Sequence, residues 1–226
     1  MNPKQRAADA ALTLLHSDMV IGLGTGSTAD YFLQALATAI RDGRLRGIRG
    51  IPTSRQSERR AQHLGIPLTT FVQCPVCDVT VDGADEIDPK LNLIKGLGGA
   101  LLREKIVAQN THHLVIIADS TKEVQVLGTK GPLPVEVINW GHEAQEAYLR
   151  SLGCEPVLRR DAAGEMFITD SGNVIYDCRF PRIDNPEQLE TALRHRAGVV
   201  ESGLFVGLAK TVFIADADGV RQRMRQ

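Results

Sequence analysis

MVIGLGTGSTADYFLQALATAI, residues 19–40, reads as a strand, a glycine turn and a helix in immediate succession. Residues 19–24 form a short apolar run. From there Ala29, Phe32, Leu33, Leu36 and Ile40 recur at the i, i+3, i+4 spacing that gives a helix one apolar face. Ser27 or Thr28 is a natural N-cap. The same alternation extends outward. Residues 4–16 are a helix with Ala8, Ala11, Leu12 and Leu15 on one side. Downstream, GIRGIPTS (47–54) reads as a strand and RQSERRAQHLG as a polar helix. IPLTTF (66–71) and CDVTVDGAD (77–85) read as further strands, LNLIKG as a short one, and HHLVIIADSTK (112–122) as another. Strands alternating with helices predict an α/β fold, a Rossmann-like, mostly parallel sheet with helices on both faces.

The texture changes at Pro132. GPLPVEVI is a proline-broken strand, HEAQEAYLRSLG a helix, CEPVLRR and GEMFITD strands joined by a turn, and SGNVIYDCRF another strand. PEQLETALRHR is a helix and VVESGLFVG a last strand. This β-α-β-β-α-β order predicts a smaller inserted α+β, ferredoxin-like unit acting as lid or interface domain. TVFIADADGV (211–220) then returns to the first sheet. The expected division is a Rossmann-like catalytic domain over 1–131 and 207–226, and the α+β domain over 132–206.

Composition narrows the function. With 226 residues the chain can build one sizeable core, or one core and a small second domain. A net charge of −1 favours no polyanionic partner, so nucleic acid is not expected. The longest apolar runs, such as LVIIA at 114–118, fall far short of a membrane span. The N-terminus has no long apolar segment or small-residue cleavage pattern and reads as a cytoplasmic start. Of the four cysteines, Cys74 and Cys77 form a CxxC. A redox CxxC opens a helix, and a zinc site wants a second pair. Here a strand pattern follows, and Cys154 and Cys178 are isolated, so the pair reads as small residues leading into a strand.

Ligands of such sheets bind beyond the carboxyl ends of the strands. Gly24, Gly26, Ser27 and Thr28, then Asp82 and Asp85, then Lys95 and Lys122 all follow expected strand ends. GLGTGSTA matches a dinucleotide fingerprint at Gly24, Gly26 and Ala29, but the second strand ends in Ile51-Pro52-Thr53-Ser54 without the acid that would hold a ribose. No GK[ST] follows, so it is not a Walker loop. A glycine turn, two hydroxyls and a helix N-terminus remain, a cradle for a small anion such as a phosphate monoester. VDGADEID gathers Asp82, Asp85, Glu86 and Asp88. Metal binding and hydroxyl recognition with proton transfer are both open to such a cluster, and without a nearby histidine the second is preferred.

LNLIKGLGGALLREKIVAQN (91–110) pairs Lys95 with a glycine turn and then enters a helix carrying Glu104. Ala100, Val107 and Ala108 make the helix face around Glu104 small and apolar. Burial there opposes ionisation, while the helix N-terminus, Arg103 and Lys105 favour it. The balance is a carboxylate that is ionised yet poorly hydrated, suited to taking a proton. A phosphate cradle, a carboxylate base, hydrogen-bonding aspartates and a lysine for negative charge define proton transfer beside a carbonyl on a small sugar phosphate.

GLGTGSTA, VDGADEID, LIKGLGGALLREKIVA, ADSTK and PLPVEV, in this order, resemble the ribose-5-phosphate isomerase A family, and TDSGNVIYD extends the resemblance to nearly the whole chain. The resemblance implies interconversion of ribose 5-phosphate and ribulose 5-phosphate, without metal or other cofactor, in the non-oxidative pentose phosphate pathway, by a cytoplasmic homodimer or homotetramer. It implies that Glu104 is the base, that Asp82 serves ring opening and hydroxyl proton transfer, and that Lys95 steadies the enediolate oxygen. Thr25, Gly26, Ser27 and Thr28 would hold the phosphate side. Gly83, Ala84, Asp85, Gly96, Leu97, Gly98 and Lys122 would bind substrate, and Lys4 falls near the phosphate. Leu97 departs from the family's usual glycine, a side chain that could restrict the turn. The alternative reading is a sugar-phosphate-sensing module on a related fold that binds without turnover. A third is a magnesium-dependent phosphoryl enzyme built on the acidic cluster.

Overall fold

The computed structural model describes residues 2–225. The elements in chain order are α1 (Pro3–Leu12), β1 (Val20–Leu23), α2 (Ser27–Arg41), β2 (Arg49–Pro52), α3 (Arg55–Leu64), β3 (Cys77–Asp82), β4 (Glu86–Ile87), β5 (Leu93–Ile94), α4 (Leu101–Gln109) and β6 (Thr111–Asp119). A 3-10 turn (Ser120–Lys122) leads to β7 (Leu133–Val137), α5 (Glu143–Ser151), β8 (Glu155–Leu158), β9 (Val174–Arg179), α6 (Pro186–Arg194), β10 (Val199–Ser202), β11 (Leu204–Phe205), β12 (Thr211–Ala215) and β13 (Val220–Met224). Two compact units result. One holds the described residues up to Ala84, Arg103–Lys122 and those from Leu208; the other holds Asp85–Leu102 and Glu123–Gly207. Among the described residues no helix is long and apolar enough to cross a membrane.

The first unit is a six-stranded sheet in the order β13-β12-β6-β3-β1-β2, parallel except for β13 at the edge. Every residue of β1 is buried, as the continuous apolar run required of a central strand. Gly22 is needed there because a Cβ would stand 2.1 Å from Thr80 Oγ1 on β3. One face of the sheet meets α1, α2 and α3 through Ala7, Ala11, Ile21, Leu23, Phe32, Leu36, Ala61, Val81 and Ile117. The opposite face gathers Val20, Ile51, Cys74 and Cys77 against Val107 of α4. Local signals fix the helices: Asn2 caps α1 with proline in its first turn, and Ser54 and Ser57 form a capping box on α3, which ends at left-handed Gly65.

The second unit runs β7-α5-β8-β9-α6-β10 with an all-antiparallel sheet ordered β10-β7-β9-β8, the ferredoxin-like arrangement. Its core collects Leu133, Val135, Val137, Leu149, Val174, Tyr176 and Leu193. A separate three-stranded sheet, β11-β5-β4, belongs to the same unit. This unit is therefore wider than the expected 132–206, because it takes in residues 85–102 and 123–131 as well.

Four local expectations are corrected. IPLTTF makes only an isolated bridge, Gly50 to Leu68, beside β2. GEMFITD is a loop apart from the Arg160–Met166 bridge. VVESGLFVG breaks into β10 and β11, which enter different sheets at Gly203, where a Cβ would lie 2.2 Å from the carbonyl oxygen of Lys95. The chain also continues past β12 into β13, whose polar Val-Arg-Gln-Arg-Met pattern gave no strand signal.

Candidate active site

In the first unit the chain leaves β1 for β2 on one side, then returns to β3 on the other. Such a reversal leaves a crevice beyond the carboxyl ends of the two neighbouring strands. The glycine turn and Asp82 occupy that point. Gly24 N–H donates to the Val81 carbonyl at 3.0 Å, and Thr25 N–H to Asp82 Oδ1 at 3.0 Å. Gly83 N–H reaches the same oxygen at 2.8 Å. Asp82 is 1% exposed. Two backbone donors on one buried carboxylate oxygen fix its orientation.

The hydroxyl of Thr25 is itself held. Its Oγ1 lies 2.8 Å from Thr53 Oγ1 and donates to Ser54 Oγ at 2.7 Å, all three residues being buried. Thr53 and Ser54 lie outside the residues expected at the site, although they directly follow β2, whose last residue Pro52 pairs with Leu23. The helix cap differs from expectation too. Gly26, at φ 102° and ψ 177°, is the N-cap of α2, with no side-chain cap bond. Ser27 Oγ instead accepts from Lys4 Nζ at 2.8 Å, and Thr28 is buried in the first turn. A cation and a helix N-terminus therefore meet at this loop, which borders a cavity of about 560 Å³ with Arg59 and Arg60 on its wall. Arg60 is paired with Asp30. Glu104 is buried on α4 at 5% exposure, and Lys122 closes the 3-10 turn after β6.

The second unit carries the remaining residues. Asp85 N–H donates to the Ile94 carbonyl, and its Oδ2 accepts from Leu97 N–H at 3.0 Å. Lys95 is 3% exposed, anchored by its N–H on the Gly203 carbonyl, with Nζ 5.4 Å from the Phe205 ring centroid. Left-handed φ values fall at Gly96 and Gly99, not at Leu97. The leucine side chain is 43% exposed, so it costs the turn no strain. Gly83 and Ala84, still in the first unit, link Asp82 to Asp85 along the chain, and Gly98 has open space where a Cβ would be. Arg159, which no sequence motif marks, donates to the carbonyls of Gly96 and Leu97.

The acidic run divides by role. Glu86 accepts from the N–H groups of Gly128, Lys130 and Gly131, at 2.6, 2.7 and 2.9 Å. Asp88 accepts from Asn92 N–H at 2.8 Å and from its amide nitrogen at 3.0 Å. Both carboxylates are thus spent on closing loops, which leaves the cluster poorly suited to a cation. Cys74 and Cys77 are buried free thiols, and burial pushes the Cys77 thiol up to about 11.

The family model for ribose 5-phosphate isomerase A (phosphoriboisomerase A) matches residues 49–219. The chain belongs to the ribose-5-phosphate isomerase A family. A ribose-5-phosphate isomerase A from Roseiflexus castenholzii is 51% identical over 217 residues, 96% of this chain and 93% of that protein. One from Bacillus mycoides is 45% identical over 98% of this chain and 99% of its own. Among solved structures, a D-ribose-5-phosphate isomerase in complex with phospho-erythronic acid superposes with a TM-score of 0.97 at 41% identity, over 100% of both chains. The ribose 5-phosphate isomerase from Plasmodium falciparum gives 0.95 at 39% identity, again over 100% of both. The isomerase family thus accounts for both units of the fold, including the ferredoxin-like one.

Proposed function

We propose that this chain interconverts D-ribose 5-phosphate and D-ribulose 5-phosphate by proton transfer through an enediolate. The observation that carries the reading is full-length similarity to ribose-5-phosphate isomerase A in a chain that also keeps a buried glutamate on α4 and a backbone-bound aspartate at the sheet's switch point. Glu104 takes the proton from C2 of the open-chain aldehyde. The C–H electron pair becomes the C1–C2 double bond, and the carbonyl pair moves onto O1. The proton returns at C1 as the O2 hydroxyl proton passes to O1, and C2 becomes the carbonyl. Asp82 serves ring opening and the hydroxyl proton, and Lys95 opposes the charge on the enediolate oxygen. Thr25, Gly26, Ser27, Thr28 and Lys4 take the phosphate side. Gly83, Ala84, Asp85, Gly96, Leu97, Gly98 and Lys122 take the sugar. A phosphorylated four-carbon sugar acid, as found with one relative, carries a planar carboxylate on a sugar-phosphate chain, the shape and charge of the enediolate. The same reading includes a cytoplasmic homodimer or homotetramer working in the pentose phosphate pathway, and no metal.

The decisive assay is ribose 5-phosphate isomerisation by wild type and Glu104→Gln, each with and without chelator. Loss of the base should lower kcat by roughly two to four orders of magnitude, with chelator without effect. Binding without turnover in the wild type would favour a sensor, and a chelator-sensitive rate would favour a metal-assisted reaction.

A further inference from the structure

The glycine turn of the second unit is gripped from one side by a single guanidinium. Arg159 follows β8 and is nearly buried, its side chain 11% exposed. Its Nη1 donates to the Gly96 carbonyl at 3.0 Å and to the Leu97 carbonyl at 3.1 Å. Its Nε donates to Asp177 Oδ2 at 2.8 Å, and Nη2 bonds the other oxygen of the same carboxylate. The guanidinium lies 5.8 Å from the centroid of the Phe167 ring. That ring in turn fills the space beside Gly99, where a Cβ would stand 2.4 Å from Phe167 Cζ. The backbone of Arg159 is tied down as well, its N–H to the Ile175 carbonyl and its own carbonyl to Phe167 N–H.

The consequence follows from peptide planarity. In a trans peptide the N–H points opposite to the C=O. The Gly96 carbonyl shares its plane with Leu97 N–H, and the Leu97 carbonyl shares its plane with Gly98 N–H. One nitrogen holds both carbonyls, so both N–H groups face away from Arg159. The first lands on Asp85 Oδ2, which marks the side to which the second is also presented. A positive charge on the carbonyl side polarises both amides and strengthens them as donors.

We propose that Arg159, held by Asp177 and Phe167, is a positioning residue that sets the Gly96–Leu97 and Leu97–Gly98 peptides, so that Leu97 N–H fixes the Asp85 carboxylate and Gly98 N–H is presented to an oxygen that becomes anionic in the reaction. This rests on the isomerase reading, in which Leu97, Gly98 and Asp85 bind the sugar. It also assigns the β8–β9 hairpin a part in catalysis although the hairpin does not touch the reacting atoms. Leu97 fits this arrangement because only its backbone is used.

Three variants test it: Arg159→Lys, Arg159→Met and Asp177→Asn. Lysine keeps the charge and the stem against Phe167 but lacks the planar fork needed to hold two carbonyls and a carboxylate together. The readouts are kcat and KM for ribose 5-phosphate, affinity for phospho-erythronic acid, affinity for inorganic phosphate, and the denaturation midpoint. Misaligned donors should lower kcat and phospho-erythronic acid affinity roughly ten- to a hundred-fold in Arg159→Lys and further in Arg159→Met, on the scale of a lost oxyanion donor. Affinity for inorganic phosphate, held elsewhere, should stay within about twofold. Asp177→Asn should follow Arg159→Lys. A purely structural role would lower the denaturation midpoint while the folded fraction kept wild-type kcat and analogue affinity, or would weaken phosphate and analogue in parallel. Either result overturns the proposal, as does wild-type behaviour of Arg159→Lys. A wild type unable to isomerise ribose 5-phosphate would refute the functional reading itself.

Discussion

Asp82 and Glu86 stand four residues apart, and backbone N–H groups hold them to different ends. Asp82 receives two from the turns beside it, at the mouth of the switch-point crevice. Glu86 receives three from a loop some forty residues downstream and acts as a staple. Each buried carboxylate is offset by charge-assisted hydrogen bonds, without which its desolvation would cost several kcal/mol. Cys77 shows the opposite case, a buried group that keeps its proton. Its pKa is raised from 9.0 to about 11, chiefly by desolvation. The folded state therefore favours the thiol. That contribution to stability is complete below about pH 9 and is lost as pH rises through about 11. Denaturant midpoints at pH 8 and pH 11 should fall further for wild type than for Cys77→Ala. Equal losses would show that this thiol does not titrate as its burial dictates.

At the scale of elements, the strand-turn-helix of residues 20–41 makes demands on its glycines that differ by position. At Gly24 a Cβ would lie 2.4 Å from Asp82 Oδ1 and 2.5 Å from the Val81 carbonyl. Strand backbone cannot move aside, so Gly24→Ala should cost about 1–3 kcal/mol and also shift Asp82, lowering kcat. Gly26 has open space, but its φ of 102° with ψ of 177° belongs to glycine alone, so Gly26→Ala should cost about 1–3 kcal/mol through strain. Its kinetic effect should fall on KM, because the altered backbone is the loop proposed to hold the phosphate. An unchanged denaturation midpoint in Gly24→Ala would refute the spacing argument. Much of this element was readable beforehand, since Phe32, Leu33 and Leu36 announce the helix face and Val20–Leu23 the strand. The cap was not, because Ser27 is turned to Lys4 by a contact 23 residues away in sequence. Residues 66–71 misled for a related reason. Their alternation is β-like, yet only Leu68 finds a partner, because Gly50 offers that edge a single bridge. Arg159 lay beyond reach because nothing near it in sequence reveals that Gly96 and Leu97 present carbonyls to it.

Across the whole molecule the chain passes between its two compact units at four places, after Ala84, Leu102, Lys122 and Gly207. The second unit is thus not a cassette inserted at one point. Its strands β4 and β5 come from the early segment and pair with each other, and β5 pairs with β11 from the late one. Replacing residues 132–206 by a short flexible linker should strand β5 without β11, strip the Lys95 N–H of its Gly203 acceptor and expose Ile94 and Leu93. The expected product aggregates or loses cooperative unfolding, as followed by circular dichroism and light scattering. A shortened chain that unfolded cooperatively with its helix content intact would mean that residues 85–102 order themselves without their partners.

The six-stranded sheet ends in two guarded margins. On one side β13 presents Val-Arg-Gln-Arg-Met, largely exposed, and on the other the outer edge of β2 is occupied at Gly50, which bonds to Pro67 and Thr69, and is closed by Pro52. Arginine and proline are poor templates for a further strand. The sheet is therefore finite by chemistry as well as by chain length. Along this sheet, copies that meet at high concentration find no inviting ladder to extend, so fibrous growth through its edges is disfavoured.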